Sequence, residues 1–225
     1  MAPAYLVFSP AVVFVVALAL GTSDWWSKIG GALVGCGAPA LAVQWGRSGG
    51  RRRQAALWEK WGGAPTTKLL RFADGGSSAA VAQRHEAIER ATGIQMPTPE
   101  QEAADPAGAD AIYETGVTAL RALTEEDKLV VKENIAFGFR RNLWARKSYG
   151  IVVALVVLAV GVALLVAAAV GQAFGSWPAA AVAAAFGALA LLVWLAIVNE
   201  DWVREAAEAY ADRLMQTATR LPARQ

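Results

Sequence analysis

The densest gathering of chemically capable side chains is Trp58-Glu59-Lys60-Trp61-Gly62-Gly63-Ala64-Pro65-Thr66-Thr67-Lys68-Leu69-Leu70-Arg71. It holds two indole rings, a flexible Gly pair, two hydroxyls behind a Pro that opens a helix, and Lys68 and Arg71 one turn apart. Aromatic rings beside cations stack bases while the cations hold phosphates, at roughly 1–3 kcal/mol per stacked base. Backbone N–H groups at a helix start attract anions as well. Arg140 and Arg141, further along, supply a second pair of cations. The chemistry this pattern predicts is binding of a nucleotide or single-stranded nucleic acid by Trp58, Lys60, Trp61, Thr66, Thr67, Lys68, Arg71, Arg140 and Arg141. Trp58 and Trp61 read also as anchors of a core or an interface, and the residues alone leave both readings open.

Catalytic constellations are missing from the sequence. His85, the single histidine, sits between Arg84 and Glu86 on a predicted helix, a setting for a solvated or half-packed imidazole. No phosphate-cradling GxxxxGK[ST] run, serine nucleophile elbow or His/Asp/Glu ligand set occurs. Glu100, Glu102 and Asp105 read as solvating groups of a flexible acidic connector. Cys36, alone in an apolar run, allows no intramolecular disulfide and no metal spacing. The expectation is a binding protein rather than an enzyme, with no cofactor and no metal.

The elements that must position these groups are set by where charge is absent. Tyr149 to Val198 contains no Lys, Arg, Asp or Glu. Roughly 20 apolar residues cross a ~30 Å hydrocarbon layer, so this stretch is long enough for two crossings. Gly171-Gln172-Ala173-Phe174-Gly175-Ser176-Trp177-Pro178 breaks it, predicting spans over about 149–170 and 179–198. A soluble core helix would show a polar stripe that is missing here. Ala4 to Leu20 and Ile29 to Trp45 read as two further spans, the second kinked at Pro39. A cleaved signal peptide competes for the first, because Ala17-Leu18-Ala19 resembles a cleavage site, but the positive n-region is missing. Gly31 and Gly35 have the spacing that brings helix backbones together in lipid. The spans hold no ionisable residue, which argues against proton-coupled transport.

Basic residues orient the chain. Arg47 and Arg51-Arg52-Arg53 follow the second span, Arg140, Arg141, Arg146 and Lys147 precede the third, and Arg204 and Arg213 follow the fourth. Between the third and fourth spans there is none. The positive-inside rule then places both termini and the middle segment in the cytoplasm. The expected fold is all-α: a four-span helical membrane protein with a small helical cytoplasmic domain inserted between spans 2 and 3. Its parts are a hairpin over 1–46 (spans about 4–20 and 29–45), a ligand-sensing domain over 47–148, a second hairpin over 149–198, and an amphipathic cytoplasmic helix over 199–225.

Within the middle segment, Gly62-Gly63 and Gly93 read as helix stops, Ser77 and Asp105-Pro106 as helix starts, and Thr124-Glu125-Glu126-Asp127 as a capping box. Val81, His85 and Ile88 share one helix face; Ile112, Tyr113, Val117 and Leu120 share another. A long helix from about Leu129 leads into the third span, with a strand over Leu129 to Phe139 as the alternative. Val203, Ala206, Ala207, Tyr210, Leu214 and Ala218 form the apolar stripe of the C-terminal helix.

The segments WEKWGGAPTTKLLR and ENIAFGFRRNLWARKSYG, flanked by pairs of apolar runs, resemble the transmembrane effectors of Hailong-type antiphage systems. In those systems a four-span membrane protein is paired with a nucleotidyltransferase that makes single-stranded DNA oligomers. The resemblance implies a homotetrameric ion channel of the plasma (inner) membrane, held closed by bound oligomer and opened when the ligand is lost. The alternative is a non-conducting membrane scaffold that recruits a cytoplasmic partner through the acidic loop and C-terminal helix.

Overall fold

The computed structural model describes residues 53–74, 76–171 and 177–223. The two predicted spans at 4–20 and 29–45, with Cys36, Pro39 and the Gly31/Gly35 pair, lie outside the described residues. Every regular element among the described residues is a helix. They are α1 (53–60), α2 (Pro65–Lys68), α3 (Ser78–Thr92), α4 (Pro99–Ala104), α5 (Pro106–Leu123), α6 (Lys128–Trp144), α7 (Lys147–Ala169), α8 (Trp177–Leu192) and α9 (Glu200–Ala218). A π-helical segment, Val193–Ile197, continues α8. Residues 129–139 are helical within α6, so the strand alternative is excluded.

The chain divides into two compact units. The first comprises 54–138 and the chain from Arg204 onward. Its interior is built from Leu57, Leu70, Val81, Ile88, Tyr113, Val117, Leu120 and Leu214, all buried. Local chemistry sets the boundaries of its helices. Ser77 caps α3 by accepting from the N–H of Ala80, and Gly93 ends it at φ 75°, a left-handed conformation that a side chain would strain. Thr98 and Gln101 form a reciprocal capping box on α4. Asp105 then accepts from the N–H of Gly108 at the start of α5, with Pro106 in the first turn.

Two expectations need correcting here. Thr124 does not open a helix; it closes α5, its hydroxyl donating back to the Leu120 carbonyl at 2.9 Å. The start of α6 is instead served by Asp127, whose Oδ1 accepts from the N–H groups of Leu129 and Val130. Ile112, expected on the buried face of α5, is 39 % exposed, while Tyr113, Val117 and Leu120 are buried. On α9, Ala206, Ala207, Tyr210, Leu214 and Ala218 are all buried. The helix is held within the unit by the Arg121 guanidinium over the Tyr210 ring (5.7 Å) and by Arg90 donating to the Thr219 carbonyl.

The second unit includes residues 53 and 139–203. At its centre α7 and α8 form an antiparallel hairpin whose seam is made of small residues. Gly150, Ala154, Val157 and Gly161 are buried on α7, and Ala180, Ala183 and Gly187 on α8. The backbones are so close that a Cβ on Gly161 would stand 2.6 Å from the Ala184 nitrogen. One on Gly187 would stand 2.7 Å from that of Leu158. Close approach of this kind is how helices associate where no hydrophobic drive separates them from their solvent. Gly150 leaves a notch filled by the indole of Trp194, which the π-helical turn carries into a cluster with Leu143, Ala154 and Val198.

The outer faces of the hairpin are large and apolar. Val152, Val156, Val166, Val182, Leu189 and Leu192 are each more than half exposed. Two helices, Lys147–Ala169 and Trp177–Ile197, are long and apolar enough to cross a membrane. Only 17 % and 28 % of their most apolar stretches is buried, the reverse of a soluble core helix.

Candidate functional site

The predicted site begins where α1 ends. The N–H of Trp61 bonds the Leu57 carbonyl at 2.9 Å, and the N–H of Gly63 reaches back to the Trp58 carbonyl at 2.7 Å. This reversal needs positive φ at Gly62 (78°) and Gly63 (133°), which is why two glycines stand there. It leaves carbonyls at the negative end of α1, and cations answer them. Lys68 Nζ donates to the Trp61 carbonyl (2.9 Å), and Arg71 Nη1 donates to that of Gly62 (2.6 Å). Gly63 also makes room for the guanidinium, which a Cβ there would meet at 3.0–3.4 Å.

Arg71 is the hub of this corner. Its Nε and Nη2 form a fork onto Asp110 of α5, at 2.8 and 2.6 Å, and Nη1 also reaches Asp74 at 3.1 Å. Asp110 first, with Asp74, holds the guanidinium proton more firmly than usual. The backbone beside it is held one group at a time. Arg84 donates to the Leu69 carbonyl (2.8 Å), and His85 Nε2 meets the Leu70 carbonyl (2.7 Å). Both oxygens of Glu102 accept from the N–H of Phe72, and Tyr113 donates its hydroxyl to Oε2 at 2.6 Å. The His85 ring lies between those of Phe72 and Tyr113. Burial lowers the His85 pKa against the raising effect of the Leu70 carbonyl, and burial followed by Glu102 raises that of Tyr113.

Several expectations change accordingly. Thr66 and Thr67 are buried, 4 % and 3 % exposed, and α2 is a single turn opened by a proline, which has no N–H. A helix that short offers little dipole to an anion. Arg71 and Lys68 are cross-links of the fold. Glu102 is not a solvating group of a loose connector but the acceptor that fastens Phe72 and Tyr113. His85 is a buried, hydrogen-bonded core residue. Trp61 is buried at 8 %, whereas Trp58 is half-buried and Lys60 exposed. The Trp58 indole N–H is buried with no acceptor among the described residues.

A cleft of about 290 Å³ opens beside Trp61, Pro65 and Lys68, closed on its other side by Arg204, Glu208 and Asp212 of α9. Its charged lining is mixed: Lys68 and Arg204 face Asp74, Glu208 and Asp212, and Arg204 is paired with Glu208 at 2.8 Å. An excess of carboxylates does not suit a polyphosphate.

Arg140 and Arg141 belong to the second unit. Arg140 donates to the Trp202 carbonyl (2.8 Å), with its guanidinium 5.0 Å from that indole's centroid, while Trp202 meets Phe139 edge-on. Arg141 Nη2 lies 3.4 Å from the Asn142 side-chain oxygen. The nine predicted residues thus fall into a folded corner and a separate arginine pair. Asp110 and Glu102, which organise the corner, were missed. The one available signal was that Asp110 precedes the apolar Tyr113 by three positions and so shares its helix face. In comparison with known proteins, no family model, curated protein or solved structure matches the chain.

Proposed function

We propose that this chain is one subunit of an oligomeric membrane effector, an ion channel of antiphage defence. A nucleotide or single-stranded DNA oligomer, made by a partner nucleotidyltransferase and bound on the cytoplasmic side, keeps it closed, and loss of the ligand opens it. In this reading four spans anchor a homotetramer in the inner membrane, with both termini and the helical domain in the cytoplasm. The observation that carries the membrane part is the α7–α8 hairpin, whose seam is Gly and Ala and whose outer faces are exposed Val and Leu. Water would oppose that surface by about 25 cal/mol for every Å² left exposed. The ligand and the channel rest on the resemblance and on the basic and aromatic groups near the membrane.

We narrow the proposed ligand contacts, since Arg71, Lys68 and the buried threonines are bonded or packed within the fold. Half-buried Trp58 and exposed Lys60 remain as candidate contacts of the helical domain, and Arg140 and Arg141, in the other unit, remain as candidates of their own. An acceptor brought to the Trp58 N–H would relieve an unmet donor that costs about 1–3 kcal/mol.

The test is conductance of the purified protein in planar bilayers, with and without single-stranded DNA over a range of salt. Current that the oligomer suppresses, with affinity falling steeply as salt rises, supports the reading. Binding that ignores salt, or survives loss of Lys60, Arg140 and Arg141 together, contradicts it. Silence in every condition favours the non-conducting scaffold.

A further inference from the structure

We propose that the cleft beside Trp61 binds a small primary amine, its ammonium on Asp212 and its apolar body along Trp61, Pro65 and Leu69. This site lies beyond the function proposed above and does not depend on it. The cleft is formed within the helical unit alone, by the corner that follows α1 and by one face of α9. Trp61, Pro65, Leu69 and Ala211 give it apolar walls. Its volume of about 290 Å³ stands at the lower end of the roughly 300–1,000 Å³ of small-molecule pockets, so the occupant is small.

Pairing within the fold fixes the sign of the ligand. Lys68 Nζ is committed to the Trp61 carbonyl at 2.9 Å, and Arg204 Nε to Glu208 Oε1 at 2.8 Å. Asp74 gives its Oδ2 to Arg71, whose other donors are spent on Asp110 and Gly62. Asp212, exposed at the mouth, has no hydrogen bond or ion pair with any described residue. Two cations against three carboxylates leave the cleft one negative charge in excess. Arg204, Glu208 and Asp212 are spaced four apart on α9 and so share one stripe of it. An ammonium, with one charge and three N–H donors, can therefore bridge Asp212 and Oε2 of Glu208, which Arg204 does not use. Other cations fit less well. Among the described residues no group of three His, Cys, Asp or Glu side chains could hold a metal ion. A quaternary ammonium asks for a cage of aromatic faces, and Trp61, only 8 % exposed, is the one ring lining the cleft.

The experiment titrates the full-length chain in detergent, at fixed ionic strength, with phenethylamine, phenethyl alcohol or phenylalanine, and follows the thermal midpoint. The three share one body and differ in carrying an ammonium, no charge, or an ammonium with a carboxylate. Phenethylamine raises the midpoint by a few degrees, as a ligand of the folded chain must, and the alcohol does not. Asp212→Asn, at an exposed position, weakens the amine about tenfold. Glu86→Gln, which removes the same charge from an exposed position of α3, leaves its binding unchanged. If the alcohol matches the amine, the cleft is merely apolar; if phenylalanine does, the ligand is a zwitterion completed by Lys68. Either result overturns the amine assignment. No rise with phenethylamine or with butylamine, or an Asp212→Asn protein that responds as wild type does, overturns the site. The readout needs neither nucleotide nor conductance, so its failure leaves the channel reading where it was.

Discussion

Arg71 offers the clearest way to separate a fold-holding cation from a ligand-holding one. Its fork onto Asp110 joins positions 39 residues apart, and its third nitrogen serves Gly62 and Asp74. Fully exposed ion pairs couple by about 0.2–1 kcal/mol, whereas breaking a buried one costs about 3–5 kcal/mol. With Arg71 22 % and Asp110 33 % exposed, the pair falls between these limits, and its coupling comes to about 1–2 kcal/mol. The Gly62 carbonyl that Arg71→Ala releases is exposed, so water takes the place of the guanidinium and little is added. Arg71→Ala and Asp110→Ala are therefore each destabilised by about 1–2 kcal/mol. In a helical domain of this size that lowers the thermal midpoint by roughly ten degrees. The assay is thermal unfolding of both single variants and the double variant in detergent, without nucleotide, followed by circular dichroism. A double-mutant cycle with no coupling refutes the reasoning. So does an Arg71→Ala protein as stable as wild type that no longer binds single-stranded DNA, since Arg71 would then be a ligand contact.

Two further outcomes follow from the packing. Because burial depresses the His85 pKa, the unfolded chain takes up its proton first on acidification. This contribution to stability is intact above the unfolded value near 6.5 and is lost as pH falls from there through the folded pKa. Thermal midpoints measured from pH 8 down to 5 should fall less for His85→Gln, which keeps a donor for Leu70, than for wild type; equal slopes would remove His85 from the account. In the hairpin, Gly161→Leu or Gly187→Leu drives a side chain into the backbone of the opposite helix, at a cost of about 1–3 kcal/mol or more. Val156→Leu, on an exposed face, should be near neutral. Protease resistance of the reconstituted protein reads the difference, and equal resistance of all three would mean the seam is not close-packed.

What could be read in the chain divides by the range of the interaction involved. Ser77, Gly93 and Asp105 act on backbone within four residues of themselves, so their spacing alone identifies them as caps. The Tyr149–Val198 stretch was legible for a similar reason. A seam of Gly and Ala with Val and Leu outside leaves no place for a charge, whatever the rest of the chain does. Thr124 misled because Thr and Asp both cap, and only the end of α5 decides that Thr124 turns back to Leu120 while Asp127 opens α6.

The corner around Arg71 was opaque for the opposite reason. Lys68 and Arg71 look like a phosphate clamp in a local window, because the window contains no competing acceptor with a better claim. The acceptors come from Asp110, 39 residues on, and from the carbonyls that the Gly62-Gly63 reversal exposes. Glu102 looked like solvation for want of its partners, Phe72 and Tyr113, which lie 30 and 11 residues away. A cation's role is fixed by which anion or dipole reaches it first, and in a small helical domain that is settled by tertiary contacts. A basic residue next to aromatic rings is therefore a candidate ligand group only after the carboxylates and helix ends of its own fold have been counted. By that measure Lys68 and Arg71 leave the candidate site, while Trp58, with its unmet N–H, stays in it.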